Sequence, residues 1–238
     1  VIFAPMLSLL SDVLLRHQSI FHPVLPLDTP SQLVAAENLS ESGGDLPAGI
    51  SENLTLFVDN MNMLREQKGA LYLVGGYGEL RNFYARSELF DTTAEPRRLH
   101  LGTDIWGVAG TPVFAFSGGM VHSVGYNHQF GDYGATLILL HQLEGMSFYT
   151  LYGHISKRDI QNVSPGQYLV HGQTIAHFGK PEENGQWPPH LHFQIITDLG
   201  GREGDFPGVC RYSERAAWLD NCPDPDLILQ INKLIHNK

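Results

Sequence analysis

Six short runs rich in β-branched and aromatic residues are the strongest constraint on how this 238-residue chain can fold. They cover residues 70–74, 112–116, 120–124, 135–141, 147–152 and 192–197. Runs of this length, separated by turn residues, are typical of β-strands. The 25 glycines and 14 prolines suit a chain with many turns. We therefore predict a mainly β domain over residues 71–198.

The regions on either side of these runs have a different character. In residues 1–70, apolar residues recur at helical spacing from Leu54 to Leu64, and Ser51 is placed to cap that helix. We interpret its methionine and aromatic stripe as core packing. Residues 199–238 are predicted to be loop-rich and to close with a short helix around residues 225–235. The whole chain is thus expected to be α+β, with a helical N-terminal segment, a β domain and a C-terminal extension.

Charge and hydropathy exclude two classes of partner. The formal net charge of −10 argues against a nucleic-acid partner, which would require a basic surface. No segment is long and apolar enough for a membrane helix, and residues 1–10 lack the basic stretch of a signal peptide. The protein is expected in the cell envelope if it is exported and otherwise in the cytoplasm. Cys210 and Cys222 would pair only in an oxidising compartment, and no feature indicates an oligomeric state.

Three histidine motifs bring candidate metal ligands and proton carriers into the β-rich region. They are His100-x-x-x-Asp104, Tyr-Gly-His154 and His190-x-His192. Two imidazoles and one carboxylate provide the three protein ligands of a catalytic zinc site, with an open position for water. Two further imidazoles are then free for proton transfer. The combination predicts a zinc-dependent hydrolase.

Simple chain geometry limits how these residues can meet. His190 and His192 lie in a strand-like run, so both side chains point to the same side of the strand. One imidazole can then hold a metal while the other stands beside the bound water. In an extended chain, four residues would separate His100 from Asp104 by roughly 13 Å, too far for one metal. The segment must therefore curl, and Gly102 is the residue that would allow it.

The order of these motifs resembles that of the lysostaphin/LytM-type zinc metallopeptidases, and the likeness extends over about residues 75–196. Further matching stretches are the glycine turn at residues 131–134, the hairpin around residues 139–154 and the Gly-Gln turns at residues 166–167 and 172–173. The resemblance implies an antiparallel-sheet catalytic domain. It implies that His100, Asp104 and His192 bind zinc, and that His154 and His190 are catalytic.

Two positions depart from the usual pattern of that family. Gln194 stands where the family usually has glutamate, and we interpret it as a change beside a metal ligand that keeps hydrogen bonding. Trp187-Pro188-Pro189 replaces a smaller, glycine-rich approach to His190, and we expect it to reshape one side of the substrate cleft.

The resemblance implies a metalloendopeptidase that hydrolyses amide bonds in peptidoglycan-type cross-links. Two alternatives remain: a zinc amidohydrolase acting on a small peptide outside the wall, and a non-catalytic activator of other wall hydrolases. The complete set of ligands and histidines speaks against the last. Tyr77 and Arg81 are candidates for a substrate-gripping cleft wall, against the plainer interpretation of a turn with a solvated arginine. His141 is a further candidate for substrate binding, because the family commonly has a histidine there.

Overall fold

The computed structural model describes residues 9–27, 34–40, 47, 49–91 and 94–235. Its strands are β1 (Val34–Glu37), β2 (Tyr72–Gly75), β3 (Leu99–His100), β4 (Thr103–Trp106), β5 (Pro112–Phe114), β6 (Gly119–Asn127), β7 (Gly134–Leu143), β8 (Met146–Ile155), β9 (Tyr168–Leu169), β10 (Thr174–His177), β11 (His190–Ile196) and β12 (Val209–Cys210). Its α-helices are α1 (Leu9–His17), α2 (Leu54–Gln67), α3 (Lys157–Ile160), α4 (Arg215–Asn221) and α5 (Asp226–Leu229).

One eight-stranded sheet organises the described residues, with the strand order β1-β2-β4-β11-β8-β7-β6-β9. Every neighbouring pair in it is antiparallel except β1 and β2, which are parallel. Two small sheets join β10 to β5 and β12 to β3. The prediction of a mainly antiparallel β domain is confirmed, and each of the six predicted runs corresponds to a strand.

The central strand β11 is buried at all seven positions. It lies between β4 and β8, so both of its edges are hydrogen-bonded and both of its faces are covered. Such a strand has little freedom to move, and residues on it are held rigidly. The two histidines of the His190-x-His192 motif lie at its N-terminal end.

The N-terminal segment is tied to the sheet rather than standing apart from it. Its helices α1 and α2 agree with the predicted helical character, but β1 extends the sheet beside β2, which the sequence reading did not anticipate. Helix α2 begins at Leu54, and its N-cap is Asn53, whose side chain accepts a hydrogen bond from the backbone N–H of Leu56. The predicted cap at Ser51 is wrong, because that residue lies in a preceding 3₁₀ turn, Ile50–Glu52.

In its described part, the C-terminal region contains two short helices and two 3₁₀ turns, Tyr212–Glu214 and Ile231–Lys233, where one short helix was predicted. Its strand β12 pairs with β3 next to His100. Cys210 and Cys222 are both buried and both free thiols. Among the helices the structure describes, none combines the length and apolarity required to cross a membrane. The predicted domain boundaries stay predictions.

Candidate metal centre

The three predicted ligands come from three strands, one of which is the central strand β11. His100 ends β3, Asp104 lies in β4 and His192 lies in β11. The antiparallel register of β4 and β11 places Asp104 directly opposite His192. The chain turns between β3 and β4, and this turn brings His100 back to both. All three side chains are buried.

The facing atoms of this cluster have the spacing of a metal site. Asp104 Oδ1 lies 3.0 Å from His192 Nδ1 and 3.3 Å from His100 Nε2. The two imidazole nitrogens, His100 Nε2 and His192 Nδ1, are 3.0 Å apart. Ligands bound tetrahedrally to zinc at about 2.0–2.1 Å are separated by about 3.3 Å. The residues present therefore fit a zinc ion without rearrangement of the backbone.

Each ligand has its other polar atom engaged by a neighbour. His100 Nδ1 donates a hydrogen bond to the carbonyl oxygen of Gly76 at 3.1 Å, and His192 Nε2 donates to Gln194 Oε1 at 2.8 Å. These bonds assign the tautomers and leave the facing nitrogens as lone-pair donors. Gln194 thus orients a ligand, as expected from its position beside His192.

The carboxylate of Asp104 is held from the opposite side by Arg81. The Arg81 guanidinium donates to Asp104 Oδ2 at 2.6 Å and also pairs with Glu79 at 2.8 Å. Asp104 is surrounded by cationic and hydrogen-bonding groups. Although burial acts to raise the pKa of Asp104, His100 and Arg81 hold that pKa well below its usual range. The carboxylate is thereby ionised, and its Oδ1 atom is available to a metal ion.

The other two histidines form a pair next to the ligands. The rings of His154 and His190 have centroids 4.0 Å apart, and His190 Nε2 lies 4.0 Å from Asp104 Oδ1. His154 Nδ1 donates to the carbonyl of Asn184 at 2.8 Å, and His190 Nδ1 donates to that of Pro188 at 2.7 Å. Both Nε2 atoms are therefore left as lone-pair acceptors.

Burial also determines the charge of this pair. It lowers the pKa of His190 to about 4 and that of His154 well below 6.5, so both rings are neutral at pH 7. His154 has a backbone φ of +60°, which is uncommon for a residue with a side chain. Strained backbone of this kind often occurs at functional sites.

Gly102 is required for a reason other than the one predicted. It is not among the glycines with positive φ, so left-handed backbone is not what the turn needs. A Cβ at this position would lie 2.5 Å from Cε1 of His192 and 2.8 Å from the carbonyl oxygen of Phe193. The glycine is thus needed because the imidazole of His192 packs directly against its backbone.

The structure places the three residues predicted to bind substrate, Tyr77, Arg81 and His141, away from the lining of the pocket at the metal centre. Arg81 is completely buried behind Asp104, so it is neither a cleft wall nor a solvated turn residue. The Tyr77 hydroxyl donates to the carbonyl of Cys222 at 2.6 Å. His141 is buried between its partners, the Gly118 carbonyl at 3.0 Å and the Thr150 hydroxyl at 2.8 Å.

A pocket of about 780 Å³, counting the space open to solvent, leads to the metal centre. One side is an aromatic wall made of Phe57, Phe83, Tyr84, Phe90 and Trp187. Trp187 therefore shapes the cleft as expected from the Trp-Pro-Pro stretch. Phe57 belongs to the stripe interpreted as core packing, and it both packs in the core and lines the pocket.

Further pocket residues were missed by sequence reasoning. Tyr133 packs its ring against His192 and His154, with centroids 5.1 and 5.3 Å away, and its hydroxyl lies 3.4 Å from His192 Nε2. Its place in the recognised Gly-Asp-Tyr-Gly turn was a usable signal. Arg97 and Asp132 also line the pocket, and burial raises the pKa of Asp132 to about 6. Asp132 belongs to the same Gly-Asp-Tyr-Gly turn, whereas no motif in the sequence marked Arg97.

A comparison with protein families matches residues 98–203 to the model of peptidase family M23. The match covers less than half of the chain, so this region is similar to family M23. All five histidine and aspartate residues of the centre lie inside the matched region. By contrast, Phe57, Phe83, Tyr84 and Phe90 of the aromatic wall precede it.

Two curated proteins are similar to the M23 region. The L-Ala–D-Glu endopeptidase of Bacillus subtilis (strain 168) is 30% identical over 127 residues, which are 51% of this chain and 36% of that protein. The peptidoglycan DD-endopeptidase ShyC of Vibrio cholerae is 29% identical over 112 residues, 43% of this chain and 23% of that protein. The matches span about a third and a quarter of these relatives.

Solved structures of M23-type peptidases are also similar in part. A zinc-containing peptidase from Vibrio cholerae is 29% identical, with 41% of this chain and 27% of that chain covered and a TM-score of 0.33. The catalytic domain of lysostaphin from Staphylococcus simulans is 25% identical, with 51% and 80% covered and a TM-score of 0.35. At these TM-scores the assignment to M23 rests on the sequence match.

Proposed function

We propose that the protein is a zinc-dependent metallopeptidase that hydrolyses peptide (amide) bonds. The observation that carries this proposal is the convergence of His100 Nε2, Asp104 Oδ1 and His192 Nδ1 within 3.0–3.3 Å of one another. Two nitrogens and one oxygen are the donor set of many catalytic zinc sites. The M23 assignment of residues 98–203 supports the same reaction class.

The residues around the centre suit amide hydrolysis. A bound zinc ion supplies Lewis-acid chemistry that activates water and polarises a carbonyl group. His190 and His154 are neutral and hold their Nε2 lone pairs available, so either can take a proton there and return it to a leaving amine. Their Nδ1–H bonds to backbone carbonyls keep both rings in this orientation.

The substrate proposed first is a peptide cross-link of the peptidoglycan type. The support is that both curated relatives are named as endopeptidases, and one of them as acting on peptidoglycan. With that substrate the protein would work in the cell envelope. A second candidate is a small peptide or amide, and the observation that favours it is the aromatic wall beside the centre, whose first four rings lie outside the M23 region.

Metal content and turnover of two histidine variants test the assignment of roles. We expect about one zinc per chain in the untagged protein. We expect His190→Ala to keep the metal and lose turnover, and His192→Ala to lose both. His171→Ala, an exposed histidine outside the centre, is the matched control and should change neither quantity. Absence of zinc in the parent protein, or equal metal loss in both test variants, contradicts the proposal.

Product analysis by mass spectrometry separates the two substrate classes. The zinc-loaded protein is incubated with purified peptidoglycan and with a panel of short peptides. Release of wall fragments supports the cross-link substrate. Cleavage of the panel without any release from the wall supports the small-amide substrate instead.

A further inference from the structure

The aromatic wall extends along the metal centre from His100 to His154. At one end the Tyr84 ring lies 6.3 Å from the ring of His100, and at the other the Trp187 ring lies 6.5 Å from that of His154. The Tyr84 and Trp187 rings are themselves 6.1 Å apart. A group attached next to a scissile bond at the metal centre therefore lies against these rings.

The wall is preorganised by contacts among its own rings. Phe83 lies 6.1 Å from Phe57 and 5.8 Å from Trp187, both in edge-on geometry, and Phe57 lies 6.4 Å from Trp187. Because these contacts already fix the rings, little side-chain entropy is lost when a ligand binds against them. Phe83 is only half-buried, so part of its ring remains open to a ligand.

Arg97 places a positive charge on the same pocket. Its guanidinium is 5.5 Å from the centroid of Phe90 and donates to the carbonyl of Leu89. Within the described residues no carboxylate forms a salt bridge with it. Asp132 lines the same pocket, and the charge of Arg97 acts to lower the pKa of its carboxyl group although burial raises that pKa overall. A guanidinium carries five N–H donors, so this partly buried one can also bind the carboxylate of a ligand through two parallel hydrogen bonds.

These features have an origin distinct from that of the metal centre. Phe57, Phe83, Tyr84, Phe90 and Arg97 all precede residue 98, where the M23 match begins. The matched region therefore contains the metal centre, while the preceding segment supplies Arg97 and four of the five rings of the aromatic wall. Specificity can then differ between this chain and its relatives although the chemistry is shared.

We propose that the pocket takes a short peptide with an aromatic or bulky apolar residue beside the scissile amide and a free carboxylate bound by Arg97. This inference rests on the proposed function, since it names the substrate class of the same site. Apolar surface of the substrate is buried against the rings of the aromatic wall, and its carboxylate pairs with the guanidinium of Arg97 beside Phe90. A substrate lacking either group loses that part of the interaction.

Binding can be measured without turnover, which separates this inference from the proposed function. Calorimetry with the zinc-loaded protein compares N-acetylphenylalanine, as either enantiomer, with N-acetylglycine and with N-acetylphenylalaninamide. We expect one enantiomer of the first compound to bind about tenfold or more tightly than each of the other two. Phe83→Ala should abolish the preference for phenylalanine over glycine, and Arg97→Gln the preference for acid over amide.

The matched control is Tyr168→Ala, which removes an exposed aromatic residue that does not line the pocket. It should leave both preferences intact. Equal binding of the three compounds, or preferences that persist in Phe83→Ala and Arg97→Gln, overturns the inference. Selective binding in a protein that hydrolyses no amide keeps the inference and refutes the proposed function. Hydrolysis of peptides without a preference for phenylalanine or for a free carboxylate keeps the proposed function and overturns the inference.

Discussion

Replacement of Gly102 by alanine tests whether close packing against a ligand is what the metal centre requires. The added Cβ would lie 2.5 Å from Cε1 and 2.6 Å from Nε2 of His192. Since non-bonded heavy atoms lie about 3.5–4.0 Å apart, the ring must move by about 1 Å. The carbonyl oxygen of Phe193, 2.8 Å from the same Cβ, belongs to the backbone of β11 and cannot easily move away.

A displacement of this size is several times what a zinc site accepts. Ligand distances in such sites stay within about 0.2 Å of their usual values. Losing even a hydrogen-bonding neighbour of a ligand costs about 10–100-fold in metal affinity. We therefore expect zinc affinity to fall about 100-fold or more, equivalent to about 2.8 kcal/mol. Overpacking should also lower the free energy of unfolding of the metal-free protein by about 1–3 kcal/mol.

The assay is competition for zinc between the metal-free protein and a chromogenic chelator, with urea unfolding as the stability measurement. Gly145→Ala is the matched control. Gly145 has a φ of +80° and open space around an added Cβ, so alanine there costs about 1–2 kcal/mol of backbone strain without touching a ligand. A Gly102→Ala protein with zinc affinity within about twofold of the parent refutes the argument.

Three further perturbations test the surroundings of the centre. Arg81→Met leaves the buried carboxylate of Asp104 without its ionic partner, so calorimetry should show that the free energy of unfolding falls by about 3–5 kcal/mol. A fall below about 1 kcal/mol contradicts this prediction. Gln194→Glu removes the side-chain N–H donor that reaches the Pro207 carbonyl at 3.2 Å, so urea unfolding should show that the free energy of unfolding falls by about 1–3 kcal/mol. Burial lowers the pKa of His141 from 6.5 to about 4, so the unfolded chain takes up this proton first as the pH falls. Stability attributable to His141 is therefore present above about pH 6.5 and declines by at most about 3 kcal/mol towards pH 4. Urea unfolding at pH 7 and pH 4.5 should show a smaller decline for His141→Gln, and an unchanged decline excludes this origin.

Four of the six strands that sequence reasoning found are long. β6, β7, β8 and β11 are seven to ten residues long, and their burial patterns follow from their own side chains. β3, β9 and β12 are two residues long and exist only because a distant strand pairs with them. No local pattern can announce a strand whose hydrogen-bond partner lies far away in the chain.

The side chains predicted to bind substrate face buried partners for a related reason. Tyr77, Arg81 and His141 have side chains able to bind a peptide, and their motifs lie near the site in sequence. Whether such a side chain faces the pocket or a buried partner depends on the elements packed over it. For Arg81 that partner is Asp104, 23 residues away, and for Tyr77 it is a backbone carbonyl 145 residues away.

The sequence by itself predicted the β class of the domain, because strand periodicity is a local property of the chain. The order of its histidine motifs, through the resemblance to the lysostaphin/LytM-type peptidases, marked the five residues proposed to bind metal and transfer protons. Only the tertiary structure decided that Arg81 holds Asp104, that Gly102 makes room for His192 and that an aromatic wall borders the centre. These are properties of close contact between segments remote in sequence, and they depend on which surfaces meet when the sheet is complete.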